Sequence, residues 1–156
     1  MHPSDAGPWI GDWASGLPLI VLTVVIHVCG LALIGERVVR KITGSLEHRR
    51  FMPRFVLVMG RTSFEVTILH GIEAGIWAIA FRVLGALPNQ RSAMLYSLNA
   101  ITSYGHANIF LKEQWQLLGG FEALNGMLLF GLTTAFMFAI IQRVWPLGSR
   151  EAHHQH

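Results

Sequence analysis

Apolar residues in this chain are gathered into three long runs separated by short polar stretches. The first run, LPLIVLTVVIHVCGLALI from Leu17 to Ile34, comes close to the ~20 residues that cross a hydrocarbon core. Gly16, Leu17 and Pro18 mark its start, and His27 is its titratable group. The second run, Phe55 to Leu87, is longer than one crossing needs at ~1.5 Å per helical residue. Its first part carries Arg61 and Glu65 four residues apart and reads as an interfacial extension, so the crossing is expected from Val66 to Leu84. The third run, Leu117 to Trp145, presents Gly119, Gly120, Gly126 and Gly131 with Thr133, Thr134 and Ala135 as a small-residue face for close helix packing. The pattern predicts an all-α membrane protein with three transmembrane helices.

Between the second and third runs lies a segment, Pro88 to Gln116, that is neither a span nor an ordinary loop. Asn89 or Ser92 is suited to cap a helix continuing as RSAMLYSLNAIT. A dozen residues is too short to cross a bilayer but suits a re-entrant helix. It gives way to Thr102-Ser103-Tyr104-Gly105, where Gly105 has access to backbone angles closed to other residues. Irregular backbone survives at membrane depth only where it lines water or is covered by protein. A half-helix entering the membrane turns its carbonyl end inward, and that end favours cations. A re-entrant pore helix and filter loop between the second and third helices is therefore the expected arrangement, with a return strand behind it. One loop cannot surround an ion, so several copies must meet on an axis.

Composition sharpens the membrane assignment. Hydrophobic residues make up 52% of the chain and charged residues 13%, against about 25% charge in soluble domains. The net charge is +3, yet Arg37, Arg40, Lys41, Arg49, Arg50 and Arg54 cluster between apolar runs as a topogenic loop does, which argues against a nucleic-acid partner. With Arg143 and Arg150 past the third run, the loop and the C-terminus are expected on the cytoplasmic side and the N-terminus outside. No Lys or Arg precedes the first run, which argues for a retained helix over a cleaved signal. The organisation reads as an extracytoplasmic segment 1–16, an additional helix 17–35, a basic cytoplasmic loop 36–61, a pore domain 62–146 and a cytoplasmic tail 147–156. Cys29 cannot form an internal disulfide and reads as a buried structural thiol.

Ionisable residues inside a span face the protein interior. His70 and Glu73 fall on one helical face, an intramembrane polar pair that is either structural or half of a metal or gating site; two ligands do not make a metal centre. His27 alone reads as a packed, hydrogen-bonded ring. Gly71 and Gly75 form GxxxG, a weak signal for close helix contact. No metal beyond a permeant cation, and no cofactor, is expected. The histidines of the EAHHQH tail would bind metal only adventitiously.

The stretches HGIEAGIWAIAF, AMLYSLNAITSYG and WQLLGGFEALNGMLLFGLTTAF, spread over Leu69 to Val144, resemble the bacterial two-transmembrane pore-domain potassium channel-like proteins. The resemblance implies a homotetramer of the bacterial inner membrane conducting potassium or, less selectively, monovalent cations. It makes Thr102, Ser103, Tyr104, Gly105 and His106 the ion filter, Ala107, Asn108, Trp115 and Glu122 its support or outer mouth, and Gly126 and Gly131 hinge or packing points. The filter is degenerate. Where the family shows T-T-x-G-Y-G-D, His106 stands at the tyrosine, Ala107 at the second glycine and Asn108 at the aspartate. Alanine held at positive φ costs about 1 kcal/mol or more, and each lost aspartate removes a negative charge from the mouth. His106, with an unperturbed pKa of about 6.5, either switches the charge of the mouth with pH or packs as a neutral ring behind the filter.

Two functions follow. The first is passive cation conduction. The second is a non-conducting channel-like subunit that assembles with or regulates a partner membrane protein, with the additional first helix as the place of contact. No nucleophile elbow, HExxH, phosphate loop or cofactor fingerprint supports an enzyme.

Overall fold

A computed structural model of the chain describes residues 6–43, 51–105 and 108–152, and the side-chain surroundings of 10–40, 52–105 and 108–143. Its helices are α1, Ala6–Thr43; α2, Phe51–Val83; α3, Gln90–Ile101; and α4, Gln116–Ala152, with a 3-10 turn at Glu113–Trp115. Three stretches, Ile10–Arg40, Met52–Val83 and Glu113–Arg143, are long and apolar enough to cross a membrane. The protein is all-helical with three spanning candidates, as the apolar runs predict, and no strand occurs among the described residues. The return from Asn108 to Lys112 is irregular rather than a strand.

The helices are longer than the apolar runs that announce them. α1 begins at Ala6 and passes through Pro18 without ending. Proline removes one backbone donor, a loss that helices within apolar surroundings tolerate when neighbours cover the site. Here Gly16 brings α1 against Phe121 and Leu118 of α4. Much of the expected basic loop is helix as well: Arg37, Arg40 and Lys41 extend α1, and Arg54 lies on the first turns of α2. Arg49 and Arg50 fall outside the described residues. Helical propensity of Arg and Lys, and a helix already nucleated by the apolar run, carry the backbone on past the hydrophobic boundary. Arg61 donates to Glu65 at 2.8 Å on an exposed face, the i,i+4 surface pair its spacing implies.

Three buried clusters hold the bundle. At the end carrying the α2–α4 connection, Trp77 and Phe81 of α2 pack with Ala93, Tyr96 and Ala100 of α3 and Leu118 and Phe121 of α4. At the opposite, basic end, Leu31, Ile34 and Val38 of α1 meet Val66 and Leu69 of α2 and Ile140 of α4. Between them sit Ala74, Ile101 and Leu129. The additional first helix is thus an integral wall of the bundle, packed on both α2 and α4. Cys29 is the exception to its expected burial, for it is exposed on the outer face of α1. The Gly71–Gly75 motif also makes no close contact within the chain, since a Cβ added at either glycine would meet open space.

α3 is set by its cap. Asn89 has extended backbone angles and its side chain accepts from the Ser92 N–H at 2.8 Å, satisfying a donor that the first turn leaves free. The helix ends at Thr102, whose hydroxyl donates back to the Leu98 carbonyl at 2.6 Å. Its C-terminal end reaches Gly126, where a Cβ would come within 2.0 Å of the Ile101 carbonyl oxygen. Gly126 lies ten residues beyond the start of α4 at Gln116, ~15 Å along its axis. The chain then climbs back, and the Lys112 N–H donates to the Ala86 carbonyl at 3.4 Å.

Candidate functional site

Two regions combine polar chemistry with a defined geometry. One is the turn after α3. The other is a buried polar spine that joins all four helices.

The turn begins at Thr102 and runs through two left-handed residues, Ser103 at φ 55 and Gly105 at φ 91. Gly105 takes the special backbone angles expected of it. Ser103 takes them as well, which no residue-type signal announces, because a serine pays a steric cost there that glycine does not. Backbone hydrogen bonds pin the turn: Ser103 N–H donates to Ala100 at 2.9 Å and Tyr104 N–H to Asn99 at 2.9 Å. With its N–H groups consumed inward, Tyr104 stands 84% exposed. Asn108 is exposed also, while His106 and Ala107 lie outside the described residues. Of the expected supporting residues, Trp115 packs against α1 at Gly11, 3.8 Å from the position of an added Cβ.

Glu122 does reach α3. It is wholly buried on α4 and its carboxyl pairs with the Ser97 hydroxyl, which is also 2.6 Å from the Ala74 carbonyl of α2. One hydroxyl carries one proton. With that proton donated to the Ala74 carbonyl, the contact with Glu122 is completed by a proton on the carboxyl itself. Three helices are tied at this point. Glu122→Gln keeps a donor and an acceptor in the same place, so it is expected to change stability by under about 1 kcal/mol; a larger loss of stability would argue that the carboxyl is ionised. Tyr96 lies one residue before Ser97 on α3. Its hydroxyl sits where a Gly119 side chain would be. Asn125, one turn on from Glu122, donates to the Thr23 hydroxyl of α1 at 2.8 Å.

The spine continues toward the middle of the bundle. His27 of α1, fully buried, donates from Nδ1 to Glu73 Oε1 at 2.8 Å. Glu73 Oε2 lies 3.3 Å from His70 Nδ1, an ion-pair distance without the alignment of a hydrogen bond. On the far side of both rings, Thr133 Oγ1 is 3.1 Å from His27 Nε2 and 3.1 Å from His70 Nε2. The rings are 5.0 Å apart, centroid to centroid. The His70–Glu73 pair is therefore real but incomplete as read from spacing. The fold adds His27 from 46 residues away and Thr133 from a third helix. Their only sequence signal was that each is a polar residue inside an apolar run.

Gly126 and Gly131 behave differently. Gly126 is occupied by the Ile101 carbonyl, and a side chain at Gly131 would meet open space. Searches against protein-family models, curated proteins and solved structures return no match to this chain.

Proposed function

We propose that this chain is one subunit of a cation-conducting membrane channel, in which several copies surround an axis with the turns that follow α3. One observation supports the reading: a twelve-residue helix ends against Gly126, ~15 Å along α4 from its start at Gln116, which is half of a ~30 Å hydrocarbon core with the bilayer surface placed at Gln116. An irregular, exposed turn at that depth is stable only against water or protein. The carbonyl end of α3 points the negative end of its dipole at the same place. The exposed Tyr104 and the inward-bonded N–H groups of Ser103 and Tyr104 fit a turn whose free carbonyls and hydroxyls replace water around a dehydrated cation.

In this reading Thr102, Ser103, Tyr104, Gly105 and His106 form the filter, Ala107 and Asn108 its mouth, and Glu122 braces the pore helix through Ser97. The ion is potassium or a weakly selected monovalent cation, and the assembly is a homotetramer. The basic end of the bundle faces the cytoplasm of a bacterial inner membrane by the positive-inside rule. A second reading, a non-conducting subunit that regulates a partner membrane protein, is favoured by the filter residues themselves. Serine rather than glycine holds the left-handed angle at position 103, and Ala107 replaces a glycine.

A planar bilayer with potassium on one side and sodium on the other separates the readings. Conduction is expected, with a reversal potential displaced toward potassium or close to zero for weak selectivity. Reconstituted tetramers that pass no monovalent cation support the second reading, and a strictly monomeric protein overturns the first.

A further inference from the structure

We propose that His27, His70 and Glu73 form a binding site for a divalent first-row transition metal at the centre of the bundle, independent of ion conduction. Spacing alone offered two ligands on one helix. The fold supplies the third from α1, and one donor atom from each of the three residues falls within 4.8 Å of the others. Two imidazoles and a carboxylate are a donor set suited to Zn2+ and its neighbours.

The proton inventory of the cluster points the same way. With neutral rings and an ionised Glu73, three protons are available, one on each ring and one on Thr133. They make one consistent chain. His27 Nδ1–H donates to Glu73 Oε1, the Thr133 hydroxyl donates to His27 Nε2, and His70 Nε2–H donates to Thr133 Oγ1, over contacts of 2.8, 3.1 and 3.1 Å. That chain leaves His70 Nδ1 without a proton 3.3 Å from Glu73 Oε2, and Oε2, fully buried, has no hydrogen-bond partner. Two unprotonated donor atoms this close in an apolar interior call for a cation. For metal–ligand bonds of 2.0–2.1 Å, neighbouring corners of a tetrahedron are about 3.3 Å apart, so these two atoms already have the required separation.

His27 becomes the third ligand by giving up its Nδ1 proton, with its Nε2–H then donating to Thr133. Both metal-bound rings are in this way oriented through their far nitrogens by one hydroxyl on a third helix, the outer contact that fixes ring direction at metal sites. The His70 side chain is 26% exposed, which leaves an edge for the metal to arrive. A bound metal would lock α1 and α2 together, with α4 held through Thr133.

The test is equilibrium dialysis of the purified full chain against Zn2+, with His153, His154 and His156 of the tail replaced by alanine to remove adventitious ligands. One Zn2+ per chain is expected. Glu73→Gln, which keeps the side-chain shape, and His27→Ala are each expected to weaken binding at least tenfold, and Thr133→Val about tenfold, as outer-contact changes do. X-ray absorption on the zinc-loaded parent chain reads the ligands without relying on any variant: two imidazoles and one carboxylate oxygen are expected. A folded chain that retains no Zn2+ overturns the site and leaves the contacts to be completed by a proton. Binding unchanged in Glu73→Gln, or an absorption spectrum without imidazole, overturns it too.

Discussion

Gly126→Ala is expected to unseat α3. The Cβ it introduces falls 2.0 Å from the Ile101 carbonyl oxygen, 2.7 Å from its carbon and 2.8 Å from its Cα. All three are backbone atoms, so no side-chain rotation relieves the clash; either the end of α3 or α4 must move. Overpacking a tight contact costs roughly 1–3 kcal/mol and at times more, and with only backbone to yield the upper part of that range, about 3 kcal/mol, is expected. The displaced segment is the one that delivers Thr102 to Gly105, so under the proposed channel function conduction should fall with stability. Gly131→Ala and Gly120→Ala are the controls. Each adds a Cβ into open space within the chain, replaces glycine by a better helix former, and is expected to leave the single-chain midpoint unchanged or slightly raised. Denaturation in mixed micelles reads all three. A silent Gly126→Ala would mean that α3 does not end against α4, and the half-depth turn would go with it.

Glu73→Ala is expected to have an effect of similar size for a different reason. Glu73 is fully buried and accepts from His27, also fully buried. Removing it strands a ring nitrogen inside the bundle and leaves a cavity facing His70. Truncating one partner of a buried hydrogen bond to a charged group costs on the order of 3 kcal/mol. Apolar surroundings offer no water to take over the lost contact. A double-mutant cycle with His27→Ala separates the pair from the cavity. The two losses should be strongly non-additive, because either substitution alone already breaks the contact. Additive losses would show that His27 and Glu73 stabilise the bundle independently, against the geometry observed.

These two positions show different degrees of legibility. The three helices long enough to span, the short α3 and a cap at Asn89 or Ser92 were readable because each rests on local rules: run length, capping chemistry and the turn residues that follow. Helix ends were not, since Pro18 and the basic flanks remain helical when packing and an established nucleus outweigh local breakers. His70 and Glu73 were legible as a pair because a helix repeats every 3.6 residues.

By its sequence alone the chain was committed to three apolar helices, a capped half-length helix between the last two, and polar residues that had to find partners inside the bundle. Only the tertiary structure decided which partners they found. It joined His27 to Glu73 and Thr133 to both rings, seated Ile101 on Gly126, turned Cys29 outward, and left open space, among the described residues, where side chains at Gly71, Gly75 and Gly131 would stand. Periodicity places a residue on a face of its own helix. Which face meets which helix, and at what height, depends on how four helices pack together, and that information lies in contacts between residues far apart in the chain.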